Sequence, residues 1–227
     1  MSNEVEYENP DTTLDALIAA AGRGDVATAS ALLDANPALV GQSNMDGRTA
    51  LTNAIYAGQP GMITLLRERG ATPTLFEAAA LGDLAALNAA LASGQVSVHA
   101  YSFDGWTALH LASSFGQIEA ARALLAAGAN VAAHSWNGLD GEPLHAAAAR
   151  KGNAAMVAAL LDAGAPINGR QSHGLTALHL AAQNGVDDLV TLLHARGARR
   201  HLASDDEKTP ADLADQAGRH DLAMRLE

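Results

Sequence analysis

The sequence contains no cysteine, which excludes disulfide bonds and thiolate chemistry and fits a reducing compartment. It also lacks the basic N-terminal charges that precede a secretion signal, since Glu4, Glu6, Glu8 and Asp11 are all acidic. The apolar stretch at 14–22 is too short to span a bilayer. We therefore expect a cytoplasmic protein that does not associate with membranes.

Basic and aromatic residues are both scarce. Lysine and arginine total 14 against 25 for aspartate and glutamate, a net charge of −11, and nucleic-acid binders draw much of their affinity from phosphate neutralisation. We therefore expect no nucleic-acid partner. Only 4% of residues are aromatic although 48% are hydrophobic, and alanine supplies much of the difference. Small side chains let paired helices approach closely, so the predicted core is thin and continuous.

The sequence repeats itself. The segment TALHLA at 107–112 returns as EPLHAA at 142–147 and as TALHLA at 176–181. Anchored on the leucine of that segment, the copies are separated by 34, 24, 34, 35, 34 and 33 residues, at Leu17, Leu51, Leu75, Leu109, Leu144, Leu178 and Ala211. A glycine follows nearly every anchor seven residues later. A period of this length is typical of a solenoid.

The repeated unit resembles the ankyrin repeat, with Asp-Gly before the T-A-L-H-L-A block and L-L-x-x-G-A after it. The resemblance implies an all-α solenoid of stacked antiparallel helix pairs joined by β-turn loops, here called fingers. It covers residues 13–227 as one domain of about six repeats and a C-terminal cap, after an acidic tail at 1–12. In the copy at 104–131, Asp104-Gly105 predicts the turn and Thr107 caps the first, inner helix.

Two copies depart from the pattern. The interval from Leu51 to Leu75 is about ten residues short, which predicts that a finger is missing there. The copy that begins at Asn137 carries two extra residues around Leu139-Asp140-Gly141 and a third near Lys151, which predicts one enlarged finger and one enlarged turn.

Three of the nine histidines recur in register, at His110, His145 and His179. The resemblance implies a structural role, in which each ring hydrogen-bonds the threonine and neighbouring backbone and so ties turn to turn. Neighbouring repeats are also about 10 Å apart, too far for ligands that must lie near 2 Å from one zinc ion. We find no catalytic motif in the sequence and expect neither a metal nor a cofactor.

The rare aromatic residues mark the candidate site. Most of them fall on fingers or at the ends of inner helices, where they would be exposed, and tryptophan and tyrosine are frequent at the centres of protein interfaces. We predict a monomeric, non-catalytic module that binds another protein through its central fingers and concave groove. The predicted contacts are Tyr56, Tyr101, Phe103, Trp106, Phe115, Trp136 and His173, with Arg48 and Arg150 at the margins.

A second interpretation stays open. The aromatic residues near Trp106 and Trp136 could instead form a pocket for a small molecule, with His134 or His173 as an acid–base group. A deep pocket beside Trp136 would favour this alternative.

Overall fold

The computed structural model describes residues 10–150 and 153–227. Residues 1–9 of the predicted tail and the predicted insertion near Lys151 lie outside this part. The first helix begins at Pro10, inside the predicted tail. The described residues form fourteen α-helices, with two isolated β-bridges and no β-strand, which confirms the predicted all-α fold. No described helix has the length and hydropathy that a membrane span requires.

The chain divides into two compact units, Met1–Glu77 and Ala78–Glu227, and its prediction as a single domain stays a prediction. In the first unit, α1 packs against α2 and α3, while α4 packs against both α2 and α3. Leu17, Leu33, Leu51 and Leu66 are buried in these contacts. The helices are α1 (Pro10–Arg23), α2 (Val26–Ala35), α3 (Ala50–Tyr56) and α4 (Pro60–Glu68), with a 3-10 turn at Pro37–Gly41.

The second unit repeats one arrangement of helix pairs. The inner helices α7, α9, α11 and α13 each pack against the outer helix that follows, and they pack against one another in succession. The helix α5 (Leu75–Leu81) starts at the end of the first unit. The others are α6 (Leu84–Ser93), α7 (Ala108–Ser114), α8 (Ile118–Ala126), α9 (Pro143–Ala148), α10 (Ala154–Asp162), α11 (Ala177–Asn184), α12 (Asp187–Ala195), α13 (Pro210–Gln216) and α14 (His220–Leu226).

The pair α7 and α8 shows how the repeat specifies its helices. Thr107 caps α7, because its hydroxyl accepts a hydrogen bond from the backbone N–H of His110. The helix ends before Gly116, where φ is 72° and glycine carries no Cβ penalty. Leu109 and Leu124 are fully buried between the helices. This copy therefore encodes a leucine core bounded by a threonine cap and a glycine stop.

The predicted missing finger is confirmed. The chain passes from the end of α4 at Glu68 to the start of α5 at Leu75 without a finger turn. Glu77 is the third residue of α5, the place that histidine takes in α7, α9 and α11, and it is buried. One carboxylate oxygen accepts hydrogen bonds from the hydroxyls of Thr49 and Thr52, the latter at 2.7 Å, and the other accepts from the backbone N–H of Thr74 at 2.8 Å. Glu77 thus ties two repeats together where no finger lies between them.

Candidate functional site

The fingers have the same kind of turn, closed by a backbone hydrogen bond. In the finger at 102–106, the N–H of Ser102 donates to the carbonyl of Trp106 at 2.8 Å, and the N–H of Gly105 donates to the carbonyl of Ser102. The same closing bond recurs at 44–48, 171–175 and 204–208. In the finger at 135–141 it joins Ser135 to Gly141, so this turn is two residues longer than the others. The enlarged finger predicted from the sequence is therefore present.

The fingers of the second unit are hydrogen-bonded to one another in a row. The backbone N–H of Trp136 donates to the carbonyl of Gly105 at 2.9 Å, that of Ser172 to Leu139 at 2.8 Å, and that of Asp205 to His173 at 2.9 Å. Gly105 is needed for this approach, because a Cβ there would lie 2.8 Å from the backbone of Trp136. Each finger is thus held by its neighbour rather than free in solvent.

Two of the predicted aromatic contacts touch across neighbouring fingers. The rings of Tyr101 and Trp136 are stacked, with centroids 4.1 Å apart and an interplanar angle of 14°. Trp136 is nevertheless 75% exposed, and Phe103 on the same finger as Tyr101 is 38% exposed. An indole that is both exposed and held by stacking presents a fixed apolar surface to solvent.

Trp106 and Phe115 are less exposed than these fingertip rings. Trp106 is half-buried, and its ring makes a T-shaped contact with His110, with centroids 5.1 Å apart. Phe115 is also half-buried, just past the end of α7, and the guanidinium of Arg150 lies over its ring at 4.8 Å. Arg150 itself is exposed. The structure therefore pairs two predicted contacts, Phe115 and Arg150, and places Trp106 partly in the core.

The remaining predicted contacts are dispersed. His173 is exposed at the tip of its finger with a φ of 63°, a left-handed conformation that is uncommon for residues other than glycine. Tyr56, 40% exposed, ends α3, and Arg48 is exposed on the finger at 44–48. Both belong to the first unit, whereas the stacked rings of Tyr101 and Trp136 lie in the second unit.

The in-register histidines are buried and hydrogen-bonded, as predicted. Nδ1 of His110 accepts from the backbone N–H of Thr107, and Nε2 donates to the carbonyl of Gly141 in the next finger at 2.9 Å. The backbone donor and the carbonyl acceptor together assign the Nε2–H tautomer. His145 and His179 make the same pair of bonds, to the carbonyls of Gly169 and Lys208.

Burial keeps these three rings neutral. It lowers the pKa of His110 from 6.5 to about 4, and the bond to the Gly141 carbonyl opposes this shift only in part. Burial likewise lowers the pKa of His145 and His179. Each histidine therefore acts as an uncharged link between its own helix and the backbone in or just before the following finger, which is a structural role. Among the residues that the structure describes, no cluster of three or more histidine, aspartate or glutamate side chains could hold a metal ion.

The structure also shows a charged cluster that the sequence argument missed. Glu142 replaces the capping threonine of α9 and is 4% exposed, with Oε2 buried and lacking a hydrogen-bond partner. His134 lies 3.2 Å from a carboxylate oxygen of Asp140 and 3.7 Å from Oε1 of Glu142. Burial raises the pKa of Glu142, while His134 opposes the shift. The signal was visible in the sequence, because glutamate begins EPLHAA where threonine begins TALHLA.

Open clefts occur away from the tryptophans. One of about 420 Å³ is lined in part by Asp187, Arg219, His220 and Arg225, near the C-terminus. Another of about 290 Å³ lies beside Asp34 and Arg69 in the first unit. Neither is lined by Trp106, Trp136 or the finger histidines.

Comparison with known proteins agrees with this architecture. A model for ankyrin repeats in three copies matches residues 134–203, and a model for a single ankyrin repeat matches 104–136. The B-cell lymphoma 3 protein homolog of Mus musculus is 31% identical over 179 residues, which cover 74% of this chain and 40% of that protein. The chain thus spans two fifths of that relative's length.

Two shorter mouse proteins are also similar. Protein phosphatase 1 regulatory subunit 27 is 41% identical over 64 residues, which cover 28% of this chain and 42% of that protein. Cyclin-dependent kinase 4 inhibitor B is 34% identical over 119 residues, which cover 52% of this chain and 88% of that protein. Together with the repeat period, the helix pairs and the hydrogen-bonded fingers, these matches show that the chain belongs to the ankyrin-repeat family.

Proposed function

We propose that this chain is a non-catalytic module that binds another protein through the fingers of its second unit and the adjacent ends of the inner helices. The observation that carries the proposal is Trp136, whose indole is 75% exposed yet stacked on Tyr101. Exposed, rigid aromatic side chains are characteristic of interface hot spots. In a chain with only two tryptophans, placing one at a fingertip favours recognition over core packing.

The hydrogen bonds between fingers support the same proposal. A surface whose loops are already held in one arrangement loses little conformational entropy when a partner binds. The bonds that join Gly105 to Trp136, Leu139 to Ser172 and His173 to Asp205 hold four successive fingers in this way. The fingers can therefore act as one preformed binding surface.

The names of two relatives describe action on other proteins. One is named as an inhibitor of a cyclin-dependent kinase and the other as a regulatory subunit of a protein phosphatase. Both names fit modules that act by binding. We infer the same mode of action here, with a partner whose identity is open.

The proposed contacts differ in how much we expect each to contribute to partner binding. Trp136, Phe103 and Tyr101 form the centre, while Phe115, Arg150 and His173 lie around it in the second unit. Trp106 contributes through the part of its ring that is exposed. Arg48 and Tyr56 are proposed as additional contacts from the first unit.

We also infer a cytoplasmic monomer that requires no cofactor and binds neither nucleic acid nor membranes, in line with the net charge of −11. The alternative of a small-molecule site near Trp106 and Trp136 has less support. Trp106 contacts a buried histidine whose ring nitrogens are already hydrogen-bonded, and the open clefts described above lie elsewhere.

The test is calorimetric binding to a partner captured from cells that express the chain. We expect Trp136→Ala and Phe103→Ala each to weaken binding by about 2 kcal/mol or more, roughly 30-fold in Kd, because truncation removes a central anchor. Met224→Ala is the matched control, since Met224 is also an exposed apolar residue, at 64%, but lies on α14. It should change affinity by less than about 0.5 kcal/mol.

Denaturant melts of the same variants separate binding from folding. Phe103→Ala should lower the free energy of unfolding by less than about 1 kcal/mol, as expected for an exposed position. Trp136→Ala should lower it by about 1 kcal/mol, since the stacking on Tyr101 is lost. Unchanged affinity in both variants would contradict the proposed surface.

A further inference from the structure

The two faces of the Trp136 indole differ. Tyr101 covers one face at a centroid distance of 4.1 Å, and the near-parallel angle of 14° means that it covers the ring broadly. Because 75% of the residue is still exposed, the opposite face is open to solvent. An open indole face attracts either a cation or another flat group. The question is which of these the surroundings favour.

The charges on the fingers favour a cation. Asp140 lies on the same finger as Trp136, and its side chain is 65% exposed. The finger at 204–208 adds three exposed acidic residues, Asp205, Asp206 and Glu207, against one exposed lysine, Lys208. Arg170, just before the intervening finger at 171–175, is already paired with Asp205 at 3.0 Å. A negative potential of this kind attracts cations and repels phosphates. Among the flat ligands of an indole, it therefore disfavours a nucleotide base.

A contact of this type already occurs within the second unit. The guanidinium of Arg150 lies 4.8 Å from the centroid of the Phe115 ring. Tryptophan attracts cations more strongly than phenylalanine. The open face of Trp136 should therefore attract a guanidinium more strongly than the Phe115 ring does.

We propose that the open face of Trp136 receives an arginine side chain from a basic segment of the partner protein, an inference that rests on the proposed function. The planar guanidinium stacks on the indole, while its N–H groups donate to the carboxylate of Asp140. Asp140 also contacts His134, but its exposure leaves a carboxylate oxygen accessible to a second donor. Lysine supplies the charge without the planar group and so fits less well.

The test measures the indole N–H signal of Trp136 by NMR in the ¹⁵N-labelled full chain. The chain has two tryptophans, so Trp106→Phe assigns the two indole signals. The probe is the pentapeptide acetyl-Gly-Ser-Arg-Ser-Gly-amide, compared with the same peptide carrying neutral citrulline or lysine in place of arginine. We expect the Trp136 signal to move with the arginine peptide and the Trp106 signal to stay in place. The initial slope is the change in the Trp136 chemical shift per unit of added peptide. It should be about two- to fivefold smaller with citrulline, the factor that an exposed cation–π contact supplies.

Asp140→Asn tests the carboxylate against a closely matched control. Asp215→Asn removes the same charge from another exposed aspartate of the second unit that is likewise paired with a histidine, His220. We expect Asp140→Asn to reduce the slope for the arginine peptide and Asp215→Asn to leave it nearly unchanged. Equal reductions in the two variants would mean that only net charge matters, which overturns the specific contact.

Three other outcomes also decide against the inference. These are equal slopes for arginine and citrulline, a larger slope for lysine than for arginine, and no movement of the Trp136 signal with the arginine peptide. If one of them occurs while Trp136→Ala still weakens binding of the captured partner, the proposed surface stands and the arginine chemistry is wrong. If the captured partner binds Trp136→Ala normally, the proposed surface itself has failed.

Discussion

The two units use different chemistry at the same position of the repeat. All nine histidines lie between residues 99 and 220, so the first unit has none. In the second unit, a neutral histidine in the first turn of an inner helix donates forward to a finger carbonyl, as His110 does to Gly141. In the first unit, Thr52 holds that position in α3 and donates instead to Glu77.

The difference follows from the missing finger. A histidine can link two repeats only where the following finger presents a carbonyl to its Nε2–H group. Between α4 and α5 there is no such finger, and a carboxylate, which can only accept hydrogen bonds, pairs with the hydroxyl donors of Thr49 and Thr52 instead. The side chain that joins two repeats is therefore matched to the backbone group that faces it.

The largest expected effect of this difference is a response to acid in the second unit. The folded pKa of His110 lies below its unfolded value of 6.5, so the unfolded chain binds the proton more tightly. Stability is therefore lost as pH falls from 6.5 towards 4, by on the order of 3 kcal/mol for this residue alone. His145 and His179 act in the same direction, whereas Glu142, with its raised pKa, opposes them.

Urea melts at pH 7, 5 and 4 test this response. Tryptophan fluorescence reports only on the second unit, because Trp106 and Trp136 both lie there. Hydrogen exchange of the α3 amides reports on the stability of the first unit. We expect His110→Gln to flatten the pH dependence of the fluorescence melts and His201→Gln, at an exposed position, to leave it unchanged. A fluorescence midpoint that is the same at pH 7 and pH 4 would show that the buried histidines do not control stability.

A second prediction concerns the threonine–glutamate link in the first unit. Thr52→Val keeps the shape of the side chain but removes a donor to a buried carboxylate, so we expect stability to fall by about 1 to 2 kcal/mol. Thr64→Val is the control, because Thr64 is exposed and its hydroxyl bonds a carbonyl of its own helix. It should change stability by less than about 0.5 kcal/mol, and equal losses in the two variants would mean that the link contributes nothing particular.

The smallest expected effect is a gain in stability. Glu142→Thr would restore the threonine–histidine pair seen at Thr107 and Thr176 and remove a buried carboxylate oxygen that has no partner. We expect about 1 kcal/mol of added stability at pH 7. The gain should shrink at pH 4, because the raised pKa of Glu142 favours its neutral form as pH falls, so the penalty for burying its charge is already lower there.

Glu119→Thr provides the comparison for this gain. Glu119 is exposed on α8, so its replacement changes net charge by the same amount without touching the core. It should change the free energy of unfolding, measured by thermal melts, by less than about 0.5 kcal/mol at both pH values. A loss of stability in Glu142→Thr would show that Glu142 is well accommodated and that the comparison with Thr107 fails.

The spacing of residues in the sequence predicted the helices and most of the turns, because each repeat is encoded by residues that lie close together along the chain. Leucines at a nearly fixed period, a threonine before most inner helices and a glycine after them determine where helices start, pair and end, as at Thr107, Leu109 and Gly116. The short interval before Leu75 correctly predicted a missing finger, and the extra residues near Asp140 correctly predicted an enlarged one. These features need only local hydrogen-bonding rules and a hydrophobic period.

The contacts between repeats were decided by the tertiary structure. Tyr101 and Trp136 stack because the backbone bond from Trp136 to Gly105 sets the register of two fingers, and no local rule gives that register or the rotamers of the rings. The burial of Glu77 and Glu142 likewise depends on what the neighbouring repeat places opposite each carboxylate. The sequence by itself determined the helices, the turns and the family of the fold. Tertiary packing decided which aromatic faces stay open and which charges are buried, because both depend on side chains that are distant along the chain.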